Sequence, residues 1–272
     1  MSSENSADLR TAAGEELVRL IQRSPPRDLL PILDNPALDE AILAMLLQRR
    51  DLLAEFLESV VKRRHLIKGY QVKKLLAFHP NMPRTEGTRL LRDLYLMDLV
   101  RFSIAPGVLP DLKRKAEDQV IAKMPQLPLG QKITLARRSP ARIAGSLLAD
   151  GQPSVVKAAL GNPNLTEAQV LRVLAKDKLP PSVVQAISQD PKWSHVYNVR
   201  IALVRQTSTP LATVLAFLPE LTVSDLRELV SPGILPENLR QYLQAEIALR
   251  MRESRKKADL LVGKPNSADP SE

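Results

Sequence analysis

The chain contains no cysteine. That removes a disulfide framework, a thiolate metal site and a cysteine nucleophile together. Glycine is scarce, 10 residues in 272 against 22 prolines, and the glycines stand singly. A phosphate-cradling loop needs them clustered, so that class of nucleotide site is excluded. Aromatic residues make up 3% of the chain, with one Trp. The apolar 44% is therefore aliphatic, and leucine alone is roughly 17% of residues. No stretch approaches the ~18 uninterrupted apolar residues of a membrane span. The richest, residues 90–104, carries Arg92, Asp93, Asp98 and Arg101. Residues 1–8 lack the basic and apolar regions of a secretory signal, so a cytoplasmic chain is expected. Convincing period-2 runs bounded by turn residues are also absent, and no strand is needed to account for the pattern.

What is present is a helical period. Leu52, Leu53, Phe56, Leu57, Val60 and Val61 fall at i, i+3, i+4 spacing, as do Val170, Leu171, Val173 and Leu174. Leu239, Leu243, Ile247 and Leu249 follow it approximately. The period predicts Leu171 and Leu174 on one buried face. Prolines recur every 10 to 30 residues or so, which sets helices of roughly 8 to 15 residues, because an interior proline costs about 3 kcal/mol. Thr166 with Gln169, and Ser182 with Gln185, fit the reciprocal capping box of a helix start.

The turns repeat. ILDNPALDEAIL from Ile32, LAFHPNMPRTEG from Leu76, ALGNPNLTEAQVL from Ala159, LAKDKLPPSVV from Leu174, ISQDPKWSHVY from Ile187 and LVRQTSTPLATVL from Leu203 share one order. An apolar pair closes a helix, a polar turn follows, and Leu, Thr or Pro precedes the next apolar run. Pro163, Asp177, Pro191 and Thr207 stand 14, 14 and 16 residues apart. A helix pair thus occupies roughly 28 residues, too few to bury its own apolar face, whereas stacked pairs share a continuous core. The expected fold is all-α, an α-solenoid of short paired helices. The expected organisation is a disordered tail over 1–12, irregular repeats over 13–130, regular repeats continuous with them over 131–260, and a disordered tail over 261–272.

The stretch NVRIALVRQTSTPLATVL, residues 198–215, together with the Asn-Pro turns, resembles leucine-rich repeat variant units. More loosely, the helix pairs resemble HEAT-type repeats. The likeness is clearest over residues 132–242 and weaker over 29–92. The variant family's cysteine cluster is missing, and with it any iron–sulfur inference. The resemblance implies a bacterial-type binding protein: a non-catalytic scaffold or adaptor for a protein partner, with no cofactor.

Basic residues are the functional lead, on a net charge of +9 and a pI near 9.8. Lys62, Arg63, Arg64, Lys68, Lys73 and Lys74 lie in a window without an acid, and Arg137, Arg138 and Arg142 form a second cluster. These nine are the candidate contacts to an anionic partner. Lys113, Arg114 and Lys115, and the run Arg250, Arg252, Arg255, Lys256 and Lys257, are further groups. A nucleic-acid-binding solenoid is the alternative reading, although the aromatics that would stack on bases are nearly absent. HEAT-like alkylpurine DNA glycosylases, also small and basic, use several aromatics beside a catalytic acid, where this chain offers one Trp. His65, His79 and His195 show no ligand spacing, so no metal site is expected. His79 occupies a turn position filled elsewhere by Asn35, Asn162 and Asp190. Ser194 and His195 are neighbours in one turn and do not read as a converging nucleophile and base. Trp193 takes the place of Leu165 and Leu179 and should pack between repeats, with Tyr197 supplying a half-buried ring and a wet hydroxyl.

Overall fold

The computed structural model describes residues 8–231 and 237–262. Every regular element among them is helical, and none is a helix long and apolar enough to cross a membrane. The chain divides into two units between Pro128 and Leu129. The first holds α1 (Gly14–Arg23), α2 (Glu40–Leu46), α3 (Ala54–Lys62), α4 (Tyr70–Phe78), α5 (Arg84–Leu90), α6 (Leu96–Ile104) and α7 (Pro110–Lys123). The second holds α8 (Leu129–Arg138), α9 (Ala141–Leu148), α10 (Pro153–Leu160), α11 (Glu167–Leu174), α12 (Pro181–Gln189), α13 (Tyr197–Arg205), α14 (Leu211–Phe217), α15 (Val223–Leu229) and α16 (Glu237–Val262).

Proline sets the starts. Pro110, Pro153 and Pro181 open α7, α10 and α12, where a missing N–H costs nothing. Pro83, Pro140, Pro180 and Pro210 hold the cap positions of α5, α9, α12 and α14 with φ near −57°. Side-chain caps are few: Asp39 Oδ1 accepts the Ile42 N–H at 2.7 Å, and Thr222 Oγ1 accepts that of Asp225 at 3.2 Å. Neither predicted capping box forms. Thr166 stands at the cap of α11 without a side-chain bond. Ser182 lies inside α12, because the Pro180–Pro181 pair starts that helix earlier, and its hydroxyl donates to the Gly151 carbonyl at 3.2 Å.

Two layers pack in the second unit. Helices α8, α10 and α12 neighbour one another in one, and α9, α11 and α13 in the other. Between them lie Ile143, Leu147, Val155, Val156, Leu160, Val170, Val173, Leu174, Val183, Val184 and Ile187, all buried. Full burial of each stabilises by about 1.5–3 kcal/mol. Leu171 departs from its predicted face: it is only half-buried, because Val170 already fills the inward position. Leu53, at the cap of α3, and Leu249, midway along α16, are exposed.

Polar turn residues tie each helix pair to the one before. Asn162, buried, donates to the carbonyls of Ala136 (2.7 Å) and Ser139 (3.0 Å) and accepts the Asn164 N–H at 2.7 Å. Asn35 repeats this with Leu9 (2.8 Å), Ala12 (2.9 Å) and Ala37 (2.7 Å). His79 Nε2 meets the Arg49 carbonyl at 2.7 Å, Trp193 Nε1 donates to Leu160 at 3.4 Å, and Gln206 donates to Leu174. Arg49 donates to Ile21 and Ser24, and Arg250 to Leu218 and Leu221. Each bond to an earlier carbonyl reaches back 23 to 33 residues, near the expected length of a helix pair. Most of these carbonyls lie at helix ends, which no intrahelical N–H serves.

Residues 8–11 form a helical turn, and Leu9 is fully buried. The expected tail over 1–12 is corrected there, because the Asn35 amide and the Leu9 side chain anchor the segment. Residues 261 and 262 belong to α16. Ala12 is buried as well, and residues 1–7 and 263–272 of the two expected tails lie outside the described residues.

The second unit repeats the first at a spacing of 127 residues. Helices α3, α4 and α5 match α12, α13 and α14 at both bounds, and the short 3₁₀ turn Leu91–Asp93 matches Leu218–Glu220. Asn35 and Asn162 use acceptors spaced by the same 127: Leu9 against Ala136, Ala12 against Ser139. Lys123 donates to the Leu94 carbonyl as Arg250 does to Leu221.

Candidate functional site

The window over residues 62–74 contains no acid, yet the fold supplies four. Lys62 lies 3.8 Å from Glu58, Arg63 2.7 Å from Asp34, Lys73 2.8 Å from Asp93 and Lys74 3.0 Å from Asp98. Arg64 and Lys68 are exposed and make no such pair among the described residues. Arg137 and Arg138 end α8 in solvent, where cations complement the helix dipole, and Arg142 lies half-buried in α9. Of the nine candidate cations, Lys62, Arg63, Lys73 and Lys74 are therefore paired within the first unit. Arg250 is also structural, clamped between Glu246 at 2.8 Å and the carbonyls of Leu218 and Leu221.

The best-built polar cluster of the first unit centres on Asp98, 7% exposed. Tyr70 donates to its Oδ2 at 2.5 Å, Lys74 reaches its Oδ1 at 3.0 Å, and Arg101 stands 3.6 Å away. The Tyr70 oxygen also accepts the Tyr95 N–H at 3.1 Å, and the two rings stack with centroids 4.0 Å apart. Burial pushes the Asp98 carboxyl up, but the Tyr70 and Lys74 bonds together outweigh it and leave it below the usual value. Burial, then the Asp98 bond, push the Tyr70 phenol up.

Its counterpart in the second unit has the same two residues. Tyr197 donates to Asp225 Oδ2, and its oxygen accepts the Thr222 N–H at 3.1 Å. The Tyr197 hydroxyl, expected to be wet, is thus bonded twice, because α15 brings Asp225 under it. Thr222 adds a second hydroxyl to the same carboxylate oxygen, and these bonds, Thr222 first, hold Asp225 below the ordinary carboxylate value. The residue one turn after Tyr197 is Ile201, where the first unit has Lys74.

A groove of about 550 Å³ opens beside Asp225. Leu171, Leu174, Ala175, Ile201 and Ala202 supply apolar walls, and Arg205 and Glu228, paired at 2.7 Å, stand among its polar residues. Leu171 left the core to line it. Sequence reasoning missed Asp225 and its groove. The available signal was the shared spacing of Asn35 with Asn162, Tyr70 with Tyr197 and Asp98 with Asp225.

The histidines do not meet. His79 is buried, its Nδ1 accepting the Asn81 N–H at 3.2 Å, and burial pushes its pKa down. His195 Nδ1 lies 2.7 Å from the Pro191 carbonyl and 3.4 Å from Ser194 Oγ. Among the described residues no group of three or more His, Asp or Glu is placed to hold a metal ion. Trp193 is 3% exposed and bridges to Leu160, as expected. No family model, no curated protein and no solved structure matches the chain.

Proposed function

We propose that the chain is a non-catalytic helical-repeat scaffold or adaptor, an α-solenoid of short paired helices that binds a protein partner. The observation that carries this reading is the open groove of the second unit, whose apolar wall faces polar groups already held by one another or by backbone, an arrangement that resembles a docking surface more than a reaction centre. Side-chain ties from one helix pair to the previous one support the solenoid, since they recur near the length of a pair. The pairing of Arg63, Lys73 and Lys74 with Asp34, Asp93 and Asp98 favours a protein partner over nucleic acid, because those cations already serve the fold. The test is affinity capture by the tagged full chain, with and without nuclease, beside a gel-shift series on duplex and single strands. A stoichiometric protein retained after nuclease is expected, with nucleic acid bound no tighter than ~10 μM at physiological salt. Submicromolar, salt-sensitive nucleic-acid binding lost on replacing Arg64, Lys68, Arg137 and Arg138 by Ala would overturn the reading.

A further inference from the structure

We infer that the groove of the second unit is a receptor for a lysine side chain presented by a polypeptide partner, its ammonium seated on Asp225. The inference rests on the scaffold reading above and deepens it. The first unit shows what this carboxylate is built to hold. In both units a tyrosine donates to Oδ2 of an aspartate and accepts the N–H of the residue three before that aspartate. In the first unit the remaining oxygen carries the Lys74 ammonium at 3.0 Å, with Arg101 beside it. In the second unit the lysine position is Ile201 and the arginine position is Glu228. Asp225 Oδ1 therefore has no hydrogen-bond or ion-pair partner among the described residues, and Arg205 is taken by Glu228. An ionised carboxylate with one open oxygen faces a cavity.

The cavity opens where the first unit carries larger side chains. Where the first unit places Gln48 and Leu75, the second places Ala175 and Ala202, and both line the groove. A lysine stem can lie along Leu171, Leu174 and Ile201 while its charged end reaches Asp225. The chemistry favours an ammonium over a guanidinium. Asp225 Oδ2 is already filled by the Tyr197 and Thr222 hydroxyls, so a planar fork finds one free oxygen instead of two. A compact point charge needs only one. Glu167, held by Asn198 at 2.8 Å, adds negative charge nearby, while Glu228 and Arg205 balance each other and Arg205 also helps keep Asp225 ionised.

The test uses the full chain against an array of immobilised pentapeptides, randomised around a central lysine, with matched arrays centred on arginine, acetyl-lysine or norleucine. Lysine peptides should bind at least about tenfold tighter than acetyl-lysine and norleucine ones, the scale of one charged contact. Asp225→Asn should erase that preference. Ile201→Lys should abolish binding while keeping the wild-type melting temperature, because an internal lysine then takes the seat as Lys74 does. A chain that binds norleucine peptides as well as lysine peptides, or an Ile201→Lys variant that binds like wild type, overturns the inference and leaves the scaffold reading standing. If no peptide binds and affinity capture retains no protein, both fall.

Discussion

Replacement of Asn162 is the sharpest probe of the bonds that join successive helix pairs. This side chain is 1% exposed and makes three hydrogen bonds of 2.7, 3.0 and 2.7 Å. Asn162→Ala removes all three. At about 1 kcal/mol net per bond, with the Ala136 carbonyl and the Asn164 N–H left unpartnered and the Ser139 carbonyl keeping only the 3.3 Å bond from the Asn164 side chain, the loss is about 3 kcal/mol. Asn162→Asp should be worse, despite its closer shape. It keeps the acceptor for Asn164 but turns a carboxylate oxygen against the carbonyl oxygens of Ala136 and Ser139, with only the Asn164 side-chain amide nearby as a donor. Asn164→Ala is the control: its side chain is exposed with a single bond of 3.3 Å, so the loss should stay under about 0.5 kcal/mol. Urea unfolding followed by tryptophan fluorescence reads the effect in place. Trp193 is the only Trp, is buried in the same unit, and bonds to Leu160. A loss under about 1 kcal/mol for Asn162→Ala, or a milder loss for Asp than for Ala, refutes the reasoning.

Three further outcomes test other levels of the fold. His79 is neutral in the native state, since its Nδ1 accepts an N–H, and burial lowers its pKa below 6.5. The stability it contributes is complete above pH 6.5 and is lost as pH falls from there through the lowered folded value. His79→Gln, which installs the residue that Gln206 provides in the second unit, should lose less stability than wild type between pH 7.5 and 5.5 in urea titrations; equal slopes would show that His79 is not the titrating group. Leu174→Ala should cost about 2–5 kcal/mol and Leu171→Ala clearly less, since only Leu174 is buried; the reverse order in melting curves would misplace the groove. Lys132 is 8% exposed and lies 2.8 Å from Asp150, so Asp150→Ala strands a buried ammonium and should cost about 3 kcal/mol. Adding Lys132→Met should recover part of that in the same assay, and no recovery would mean that Asp150 acts through something other than this pair.

The helices were legible because their signals are local. Proline fixes φ wherever it stands, and an apolar residue every third or fourth position must face one side. The Asn-Pro turns were legible for a related reason: Asn162 and Asn35 bond first to their own turn, through Asn164 and Ala37. The charge balance of residues 62–74 was not legible. Asp34 lies 29 residues from Arg63, and Asp93 and Asp98 also belong to other elements, so a linear window sees cations without their acids. Leu171 was misplaced because a four-residue apolar cluster is wider than the buried stripe of a short helix, and the period alone does not say which edge faces water. Tyr197 needed α15 beneath it before its hydroxyl had a partner.

The comparison of the two units separates residues that hold the fold from residues free to change. Asn35 and Asn162, Lys123 and Arg250, and the Tyr-Asp pairs all bond backbone or a carboxylate braced against backbone. Losing any of them leaves a backbone group or a carboxylate without the partner that braces it, so their geometry recurs even where their neighbours differ. The groove positions obey no such constraint. Lys74 becomes Ile201, Leu75 becomes Ala202, Arg101 becomes Glu228, and Phe78, which meets Phe102 edge-on at 5.2 Å, becomes Arg205. In the first unit Lys74 and Arg101 reach Asp98 and Phe78 packs on Phe102; in the second, Asp225 lines an open groove. One backbone plan therefore carries two different surfaces. Changes at Ile201 and Ala202 should alter binding without unfolding the chain, whereas changes at Asn162 should unfold it before binding can be measured.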